Sequence, residues 1–245
     1  MLEKVDLSVV IPSYSEEENL RILLPRLVTE LSGLGARFEI LVVDTTSPMD
    51  HTASVCQEYG VRYMPRKAGN SYGDAIRTGI ANTTGEYVLF MDADGSHSPE
   101  FIRSMWQMRQ MNDVVVASRY VDGGSTENPR ILIVMSQILN GMYRLILNIK
   151  CRDVSNSFKL FRGPLLRQIE LTCNNFDVVE EILVRCSILN PSLRIKEIPF
   201  VFKKRMFGMS KRALVTFIFS FYITLFRLLF IKLSQTLCHR NIHTG

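Results

Sequence analysis

Short apolar runs rich in β-branched residues alternate with segments of helical periodicity, and this alternation limits the possible folds more than any other feature. It predicts strands over residues 7–11, 38–43, 87–91, 114–117 and 195–202, and helices over 16–31, near 55, over 72–81 and from 98 onward. Strands that alternate with helices are typical of a mostly parallel, doubly wound α/β sheet. Such sheets bind ligands at the carboxyl ends of their strands, so the polar residues there are the candidates for function.

Two of the predicted helices carry a start signal. Ser15 is followed by Glu18 at the spacing of a capping box, and leucines at helical spacing continue to Leu31. We therefore expect Ser15 to cap this helix. Ser98 and Pro99 predict a second helix start, with Ser98 as the cap and Pro99 in the first turn.

Two carboxylates follow strand 87–91 directly, in the tripeptide Asp92-Ala93-Asp94. Residues i and i+2 of an extended chain project to the same side, so the pair can share one hard divalent cation, which can neutralise a diphosphate. The alternative for so short a pattern is a solvated turn. The position at a strand end favours a metal site.

Polar residues also follow the first two strands. Asp44 suits either a hydrogen bond to a ribose or base or the capping of a turn. Pro12, Ser13, Tyr14 and Glu16 are placed to form the floor of a nucleotide pocket. The chain contains neither G-x-G-x-x-G nor G-x-x-x-x-G-K-[ST], which disfavours a dinucleotide fold and a P-loop ATPase.

One domain accounts for most of the chain. Of the 245 residues, 47% are hydrophobic and 22% are charged, which fits one full-sized core and a short appendage. We expect a domain over residues 1–211 and a hydrophobic helix over 212–238. The five cysteines form no zinc or disulfide pattern, and the N-terminus carries no signal-peptide pattern, so we expect reduced, cytosolic thiols.

A basic cluster lies directly before the most apolar stretch. The net charge is +5, and Lys203, Lys204, Arg205, Lys211 and Arg212 fall close together. A solvated basic surface or a nucleic-acid contact would explain the cluster alone. The apolar residues 213–233 that follow favour the phosphate head groups of a membrane and disfavour nucleic acid. As a helix this stretch would be roughly 31 Å long, just enough to span a bilayer, but an arginine within it leaves surface attachment open.

Residues 131–149 carry a narrow polar stripe on an otherwise apolar helix. The stripe consists of Ser136, Asn140, Arg144 and Asn148, which repeat every fourth residue. A helix that is apolar over most of its circumference is either packed in a core or placed at a membrane interface. The sequence leaves both alternatives open.

Six segments, in the order of the chain, resemble the family-2 glycosyltransferases, and among them those that act on polyprenyl phosphates. They are VVIPSYSEEENL from Val9, VVDTTSP from Val42, GEYVLFMDADGSHSPEFI from Gly85, SRYVDGG from Ser118, DVSNSFKLFR from Asp153 and IPFVFKKRMFGMSK from Ile198. The resemblance implies a GT-A fold, which is Rossmann-like, with a C-terminal membrane-associated helix. It implies transfer of a sugar from GDP-mannose or a UDP-hexose to polyprenyl or dolichyl phosphate, with Mg²⁺ or Mn²⁺. It also implies attachment to membrane lipids with the site facing the cytoplasm, and is compatible with a homo-oligomer.

The resemblance further implies roles for individual positions. The donor-binding residues would be Pro12, Tyr14, Glu16, Asp44, Asp92 and Ala93, and the metal ligands would be Asp92, Asp94 and Ser96. The residues that face acceptor or donor phosphates would be Arg119, Arg130, Ser210 and Lys211. The catalytic groups would be Asp92, Asp94, Arg205 and Lys211. Arg205, Ser210 and Lys211 would belong to a mobile basic loop that closes on the phosphates.

The expected acceptor decides the mechanism. A phosphate with a second pKa near ~6 is largely dianionic at neutral pH and can attack without a general base. We therefore expect an inverting direct displacement, in which the metal and basic side chains stabilise the departing diphosphate. A sugar hydroxyl would instead need a carboxylate base, for which Asp177, Glu180 and Glu181 are candidates, although we expect these three on an exposed helix surface.

The sequence departs from the family pattern at three places. Asp44-Thr45 replaces a common Asp-Asp, Ser15 replaces an Asn, and Asn156-Ser157 replaces a frequent Ser-Gly. The first two changes touch the nucleotide pocket. Two further hypotheses therefore remain: an enzyme with a saccharide acceptor in surface-polysaccharide assembly, and an inactive relative that binds nucleotide sugars. A sugar nucleotidyltransferase is disfavoured because no glycine-rich loop follows Ile11.

Overall fold

A computed structural model describes residues 4–207 and 221–234. The strands are β1 (Leu7–Pro12), β2 (Phe38–Asp44), β3 (Arg62–Pro65), β4 (Tyr87–Phe90), β5 (Val114–Ser118), β6 (Ser125–Thr126), β7 (Lys159–Arg162), β8 (Ile195–Pro199) and β9 (Val201–Phe202). The helices are α1 (Glu17–Ser32), α2 (Thr52–Glu58), α3 (Tyr72–Asn82), α4 (Ile102–Met108), α5 (Arg130–Ile146), α6 (Gly163–Leu166) and α7 (Val178–Leu189). A 3₁₀ turn (Pro99–Phe101) precedes α4, and residues 221–234 form a further helical segment.

A seven-stranded sheet organises the molecule, in the order β3-β2-β1-β4-β7-β5-β8. Neighbouring strands are parallel except around β7, which is antiparallel to both β4 and β5. The predicted α/β class with a mostly parallel sheet is therefore confirmed. The sequence did not predict β3 or β7, which are only four residues each.

Two apolar cores lie on opposite faces of the sheet because successive strand side chains alternate. One core packs the leucines of α1 and apolar residues of α2 and α4 against one face. The other packs α3, α7, the end of α5 and the segment 221–234 against the opposite face. Burial on both faces accounts for the continuous apolar runs of β1 and β4, whose residues are all buried.

The predicted capping box at the start of α1 is wrong. Helix α1 begins at Glu17 with Glu16 in the N-cap position and no side-chain cap. Ser15 instead adopts a left-handed conformation, with φ of 54°. This turn redirects the chain, and Glu16 is left free to pair with a distant residue described below. Ser98 likewise makes no side-chain cap, although Pro99 does open the 3₁₀ turn as expected.

The predicted strand over 195–202 is divided in two. β8 pairs with β5, whereas β9 pairs with β6 in a separate two-stranded sheet. Phe200 lies between them, is buried, and takes part in backbone hydrogen bonds with both Ser118 and Ser125. The break carries the chain across the carboxyl edge of the main sheet, so that residues 203–207 lie over the strand ends.

The described residues include only part of the predicted C-terminal helix. Residues 208–220 and 235–245 lie outside the described residues, and with them Ser210, Lys211 and nearly half of the predicted segment 212–238. Segment 221–234 packs into the core through Phe221, Leu225 and Leu228. Within 4–207 and 221–234, no helix combines the length and the apolar character that crossing a membrane requires.

We expect Gly→Ala substitutions at two helical glycines to change the free energy of unfolding in opposite directions. Gly79 of α3 lies against β1, where an added Cβ would be 2.4 Å from Cγ1 of Val10, whereas nothing lies within 4 Å of a Cβ at Gly141 of α5. Gly141→Ala should therefore raise the free energy of unfolding by about 0.5–1 kcal/mol, the usual gain in helix propensity. Gly79→Ala should lower it by roughly 1–3 kcal/mol through overpacking. Urea denaturation of both variants checks this, and stabilisation by Gly79→Ala would contradict the packing described for α3.

Candidate functional site

The carboxyl ends of three adjacent strands bring four acidic residues to one edge of the sheet. Glu16 follows β1, Asp44 ends β2, and Asp92 and Asp94 follow β4. β1 lies between β2 and β4 in the sheet, so the three ends are neighbours. This is the edge that the sequence predicted for ligand binding.

Asp92 is held by hydrogen bonds from three directions. The hydroxyl of Tyr72 donates to Oδ1 at 3.1 Å, and the hydroxyl of Ser157 donates to Oδ2 at 2.9 Å. The backbone N–H of Asp92 donates to Nδ1 of His97 at 3.0 Å. His97 is fully buried and stacks on Phe158 with ring centroids 4.6 Å apart. Burial lowers the pKa of His97, which keeps the ring neutral and its Nδ1 available as an acceptor.

Asp94 is oriented within its own turn. Its Oδ1 accepts hydrogen bonds from the backbone N–H of Ser96 at 3.0 Å and from the Ser96 hydroxyl at 2.6 Å. Its Oδ2 faces Nη1 of Arg205 at 3.6 Å. Ser96, which the sequence suggested as a metal ligand, therefore contacts the neighbouring carboxylate through its hydroxyl.

Arg205 bridges two of the acidic residues. Its Nη2 donates to both carboxylate oxygens of Glu16, while its Nη1 faces Asp94. Asn19, one turn into α1, donates to Oε2 of Glu16 at 2.6 Å. Asn19 also accepts the N–H of Phe207 at 3.2 Å through Oδ1. The basic segment 203–207 is thus fastened to the start of α1, and the sequence did not predict the part played by Asn19.

The same segment lies directly on the Asp94 turn. The N–H of Met206 donates to the carbonyl of Asp94 at 3.0 Å, and the N–H of Lys203 donates to the carbonyl of Ser96 at 3.3 Å. Gly95 has φ of +79°, and a Cβ there would lie 2.4 Å from Cε of Met206. Glycine is therefore required at this position by both the turn and the close approach of Met206.

The side chain of Asp44 is buried in a separate pocket beside this cluster. It is 1% exposed, and its Oδ1 has no hydrogen-bond partner within the described part of the chain. The hydroxyl of Tyr63 donates weakly to Oδ2 at 3.4 Å. Burial raises the pKa of Asp44, although the N–H of Thr45 opposes the shift. An orphaned buried acceptor of this kind indicates a missing donor, such as the N–H of a nucleobase or the hydroxyl of a ribose.

Arg66 completes that pocket, and the sequence analysis missed it. Its Nη2 donates to the carbonyl of Ser13 at 2.5 Å and its Nη1 to the carbonyl of Ser71 at 3.0 Å. Its guanidinium lies 5.8 Å from the centroid of the Tyr14 ring. Burial lowers the pKa of Arg66, but the nearby charge of Asp44 opposes the shift. The sequence signal was weak because Arg66 follows the short, unpredicted strand β3.

Arg119 makes a buried ion pair away from the metal candidates. It contacts Asp153 through Nε at 2.8 Å and Nη2 at 2.6 Å, and Nη2 also donates to Ser155 at 2.9 Å. The predicted contact of Arg119 with a phosphate stays a prediction. Arg130 lies exposed at the start of α5 and, within the described ranges, does not join the Asp94 cluster.

The expectation that Asp177, Glu180 and Glu181 lie on a helix surface is wrong. All three are buried. Glu181 accepts the N–H groups of Thr172 at 2.9 Å and Cys173 at 2.8 Å. These bonds lower its pKa against the opposing effect of burial. The Thr224 hydroxyl donates to Asp177 at 2.5 Å. Asp177 and Glu181, at the start of α7, thus accept hydrogen bonds from buried donors.

The acidic pair fits a hard divalent cation. Within the described ranges, no group of three or more His, Cys, Asp and Glu side chains is placed to hold a metal. Asp92 and Asp94 would therefore supply two oxygen ligands, and the remaining ligands would come from a bound diphosphate or from water, as is usual for Mg²⁺. The guanidinium of Arg205 beside Asp94 indicates that this position favours positive charge.

Comparison with known sequences identifies relatives over most of the chain. The family model described as "Glycosyl transferase family 2" matches residues 8–170. A dolichol-phosphate mannosyltransferase of Pyrococcus furiosus is 34% identical over 212 residues, which are 83% of this chain and 58% of that protein. A polyprenol monophosphomannose synthase of Mycolicibacterium smegmatis is 31% identical over 215 residues, which are 83% of this chain and 79% of that protein. The chain thus spans little more than half the length of the first relative.

Solved structures share the fold. Glucosyl-3-phosphoglycerate synthase from Mycobacterium tuberculosis, in complex with Mn²⁺, UDP and glucosyl-3-phosphoglycerate, matches with a TM-score of 0.68 over 93% of this chain and 80% of that one, at 17% identity. The same enzyme with Mg²⁺ and UDP gives a TM-score of 0.69 over 92% and 79%, at 18% identity. At such identities the likeness establishes the fold alone. It confirms the expected GT-A fold, with its Rossmann-like, mostly parallel sheet.

The Arg119–Asp153 pair generates a stability prediction. The side chain of Arg119 is 9% exposed and that of Asp153 is 0% exposed. Asp153→Asn leaves a buried guanidinium without its counter-charge and should lower the free energy of unfolding by roughly 3–5 kcal/mol. Asp122→Asn is the matched control, because Asp122 is fully exposed and 3.9 Å from Arg152. It should change stability by less than about 0.5 kcal/mol. Guanidinium denaturation measures both, and equal effects would contradict the role assigned to the buried pair.

Proposed function

The chain belongs to glycosyltransferase family 2, and on that basis we propose that it transfers a hexose from a nucleotide sugar, GDP-mannose or a UDP-hexose, to a polyprenyl or dolichyl phosphate. The observation that carries the proposal is the meeting of Asp94, Glu16 and Arg205 at the sheet edge. This arrangement sets two carboxylates and a positive charge where a diphosphate and its metal would lie. The two curated relatives, which are named for such transfers, support the same acceptor class.

The nucleotide would occupy the pocket around Asp44. The orphaned Oδ1 of Asp44 is suited to accept a hydrogen bond from a base or a ribose. Tyr14 and Arg66 provide a flat, cationic wall beside it, and Pro12 ends β1 next to β2 at the floor. The hydroxyl of Thr45 donates to the carbonyl of Ser47 at 2.7 Å, so this departure from the common Asp-Asp is satisfied within the loop. The change therefore leaves the binding surface of Asp44 intact.

Asp92 and Asp94 would hold Mg²⁺ or Mn²⁺ against the donor diphosphate. When bound, the ion neutralises the negative charge that develops on the departing nucleoside diphosphate. Arg205 would contribute to the same end from this chain, because its guanidinium lies between Glu16 and Asp94 at this edge. Stabilisation of the leaving group is therefore divided between two aspartates and a guanidinium.

The attacking group is proposed to be the acceptor phosphate itself. A phosphate monoester is largely dianionic at neutral pH and needs no base to attack the anomeric carbon in line with the departing diphosphate. The transfer would then invert the anomeric configuration. The burial of Asp177, Glu180 and Glu181 favours this mechanism over a sugar hydroxyl acceptor, and Asp177 and Glu181 already accept hydrogen bonds inside the fold.

A membrane surface would supply the acceptor, and we propose that the site faces the cytoplasm. Helix α5 and segment 221–234 pack together, with the ring centroids of Tyr143 and Phe221 4.5 Å apart. Their outer faces expose large apolar side chains, which are Ile131, Leu132, Val134, Ile138, Leu145, Ile146, Tyr222, Ile223, Phe226, Phe230 and Leu233. Arg130 and Arg144 are exposed on the same helix. An apolar face with cations suits anionic phospholipid head groups.

The transfer reaction is tested with the full chain, Mn²⁺ or Mg²⁺, polyprenyl phosphate and labelled UDP- and GDP-sugars. We expect a lipid-soluble labelled product that is lost on chelation of the metal. Asp94→Asn should lower turnover at least ~100-fold, because a metal ligand and a partner of Arg205 are lost together. Asp122→Asn, an exposed acidic change of the same type, should leave turnover unaltered.

Other outcomes of the same assay would support the alternative functions or contradict the metal site. Product formed only with added saccharides would replace the lipid acceptor with a sugar hydroxyl. Nucleotide-sugar binding without any product would favour the inactive relative. A product that resists both chelation and Asp94→Asn would contradict the metal site.

Membrane attachment is tested by sedimentation with vesicles of zwitterionic and anionic phospholipid. Ile138 of α5 is 58% exposed, and Met111, on the loop before β5, is 74% exposed. Ile138→Glu should weaken binding about tenfold, because a side chain that would enter the apolar layer becomes charged. Met111→Glu should have no effect. High salt should weaken wild-type binding as the attraction of Arg130 and Arg144 is screened. Equal effects of the two variants would exclude α5 from the membrane contact.

A further inference from the structure

Helix α5 turns the first half of its polar stripe toward the protein: Ser136 is half-buried and Asn140 is buried, whereas Arg144 and Asn148 are exposed, and many of its apolar side chains face outward. Asn140 is 3% exposed and Tyr143 is fully buried, whereas Ile138 is 58% exposed and Leu145 is 81% exposed. This is the reverse of an ordinary surface helix, in which the apolar stripe packs on the core. The buried polar groups of α5 therefore need partners within the fold.

The partner of the stripe is the loop between α5 and β7. Nδ2 of Asn140 donates to Oγ of Ser155 at 3.0 Å, and the N–H of Ser155 donates back to Oδ1 of Asn140 at 2.9 Å. Nδ2 also donates to the carbonyl of Ser136 at 2.8 Å, one turn earlier in α5. The carboxamide is thus saturated and joins the helix to the loop by a reciprocal pair of hydrogen bonds.

The same loop holds the metal candidate Asp92. Ser157 lies two residues after Ser155 and donates its hydroxyl to Oδ2 of Asp92 at 2.9 Å. The other side of the loop is fixed by the Arg119–Asp153 pair and by Nζ of Lys159, which donates to the carbonyls of Val154 and Asn156. Asn140 makes the shorter hydrogen bonds between this loop and α5, beside a 3.4 Å contact between the hydroxyls of Ser136 and Ser155, while the other contacts attach the loop to the sheet.

We propose that Asn140 is a positioning residue: through Ser155 it places Ser157 against Asp92 and so sets the affinity of the site for its divalent cation. The proposal rests on the metal-dependent transfer proposed above. Removing the carboxamide leaves the N–H of Ser155 without its acceptor, whereas the Ser155 hydroxyl keeps its hydrogen bond from Arg119, so we expect the backbone of the loop to shift. A shift that withdraws the Ser157 hydroxyl would leave the Asp92 carboxylate held by its hydrogen bond from Tyr72.

The expected effect follows from the behaviour of groups that orient metal ligands. Loss of such a group typically weakens metal binding roughly 10–100-fold. Because Asn140 acts on Asp92 through Ser155 and Ser157, we expect Asn140→Ala to weaken Mn²⁺ binding about tenfold, at the lower end of that range. Binding of the nucleotide without metal should be unaltered, since Asp44 and Arg66 make no contact with this loop in the described hydrogen bonds.

The test is an electron paramagnetic resonance titration of Mn²⁺ into the full chain with saturating UDP or GDP, which reads metal binding directly and not through turnover. Gln137→Ala is the matched control, because Gln137 is exposed on the same helix. Ser157→Ala and the double variant Asn140→Ala/Ser157→Ala complete a cycle. If Asn140 acts through Ser157, the double variant binds Mn²⁺ no more weakly than Ser157→Ala alone.

Each of the following four outcomes would overturn the proposed role of Asn140. Wild-type Mn²⁺ affinity in Asn140→Ala, with the variant folded by thermal unfolding, overturns the proposal and leaves the transfer function standing. A lower melting temperature with an unchanged Mn²⁺ constant assigns Asn140 to stability only. Additive losses in the double variant exclude Ser157 as the intermediate and also overturn the proposal. No Mn²⁺ binding by the wild type, together with no transfer, overturns both proposals.

Discussion

The concentration of negative charge at one edge of the sheet is the constraint on which the rest of the site depends. Glu16, Asp44, Asp92 and Asp94 are brought together because three parallel strands end side by side. Carboxylates that lie close together repel one another and cannot all be buried without partners. The fold offsets the repulsion with hydroxyl and backbone donors at the two aspartates after β4, and with a guanidinium at Glu16. Asp44 alone retains an orphaned oxygen, which is why we associate it with a ligand donor.

The basic segment 203–207 compensates this concentration of negative charge. Its backbone is fastened to the Asp94 turn, and its Arg205 supplies the positive charge that the carboxylates lack. Under the proposed function, the guanidinium that pairs with Glu16 and Asp94 would also serve the donor diphosphate. The same interaction therefore balances the charge at this edge and motivates the proposed leaving-group contact. The break between β8 and β9 is what brings the segment there.

Sequence reasoning succeeded where local pattern and topology agree. Asp44 and Asp92 were found because each directly follows a buried strand, and parallel strands must place such ends on one edge. It failed where a distant partner overrides the local preference. Ser15 fits a capping box, yet the chain turns there so that Glu16 reaches Arg205, 189 residues away. Asp177 and Glu181 look like surface acids, but Thr224, Thr172 and Cys173 supply buried donors that no local pattern reveals.

The orientation of α5 follows from the same competition between local and distant partners. The stripe of Ser136 and Asn140 is visible in the sequence, but its direction is not, because a polar stripe normally faces water. Here Ser155 offers the carboxamide both a donor and an acceptor, and the N–H of Ser155 would lose its acceptor if Asn140 turned outward. The helix must then expose its apolar side, which a lipid surface would cover. The bonds that hold the loop beside Asp92 and the exposed apolar face of α5, which we propose contacts a membrane, are therefore both consequences of how the helix is oriented.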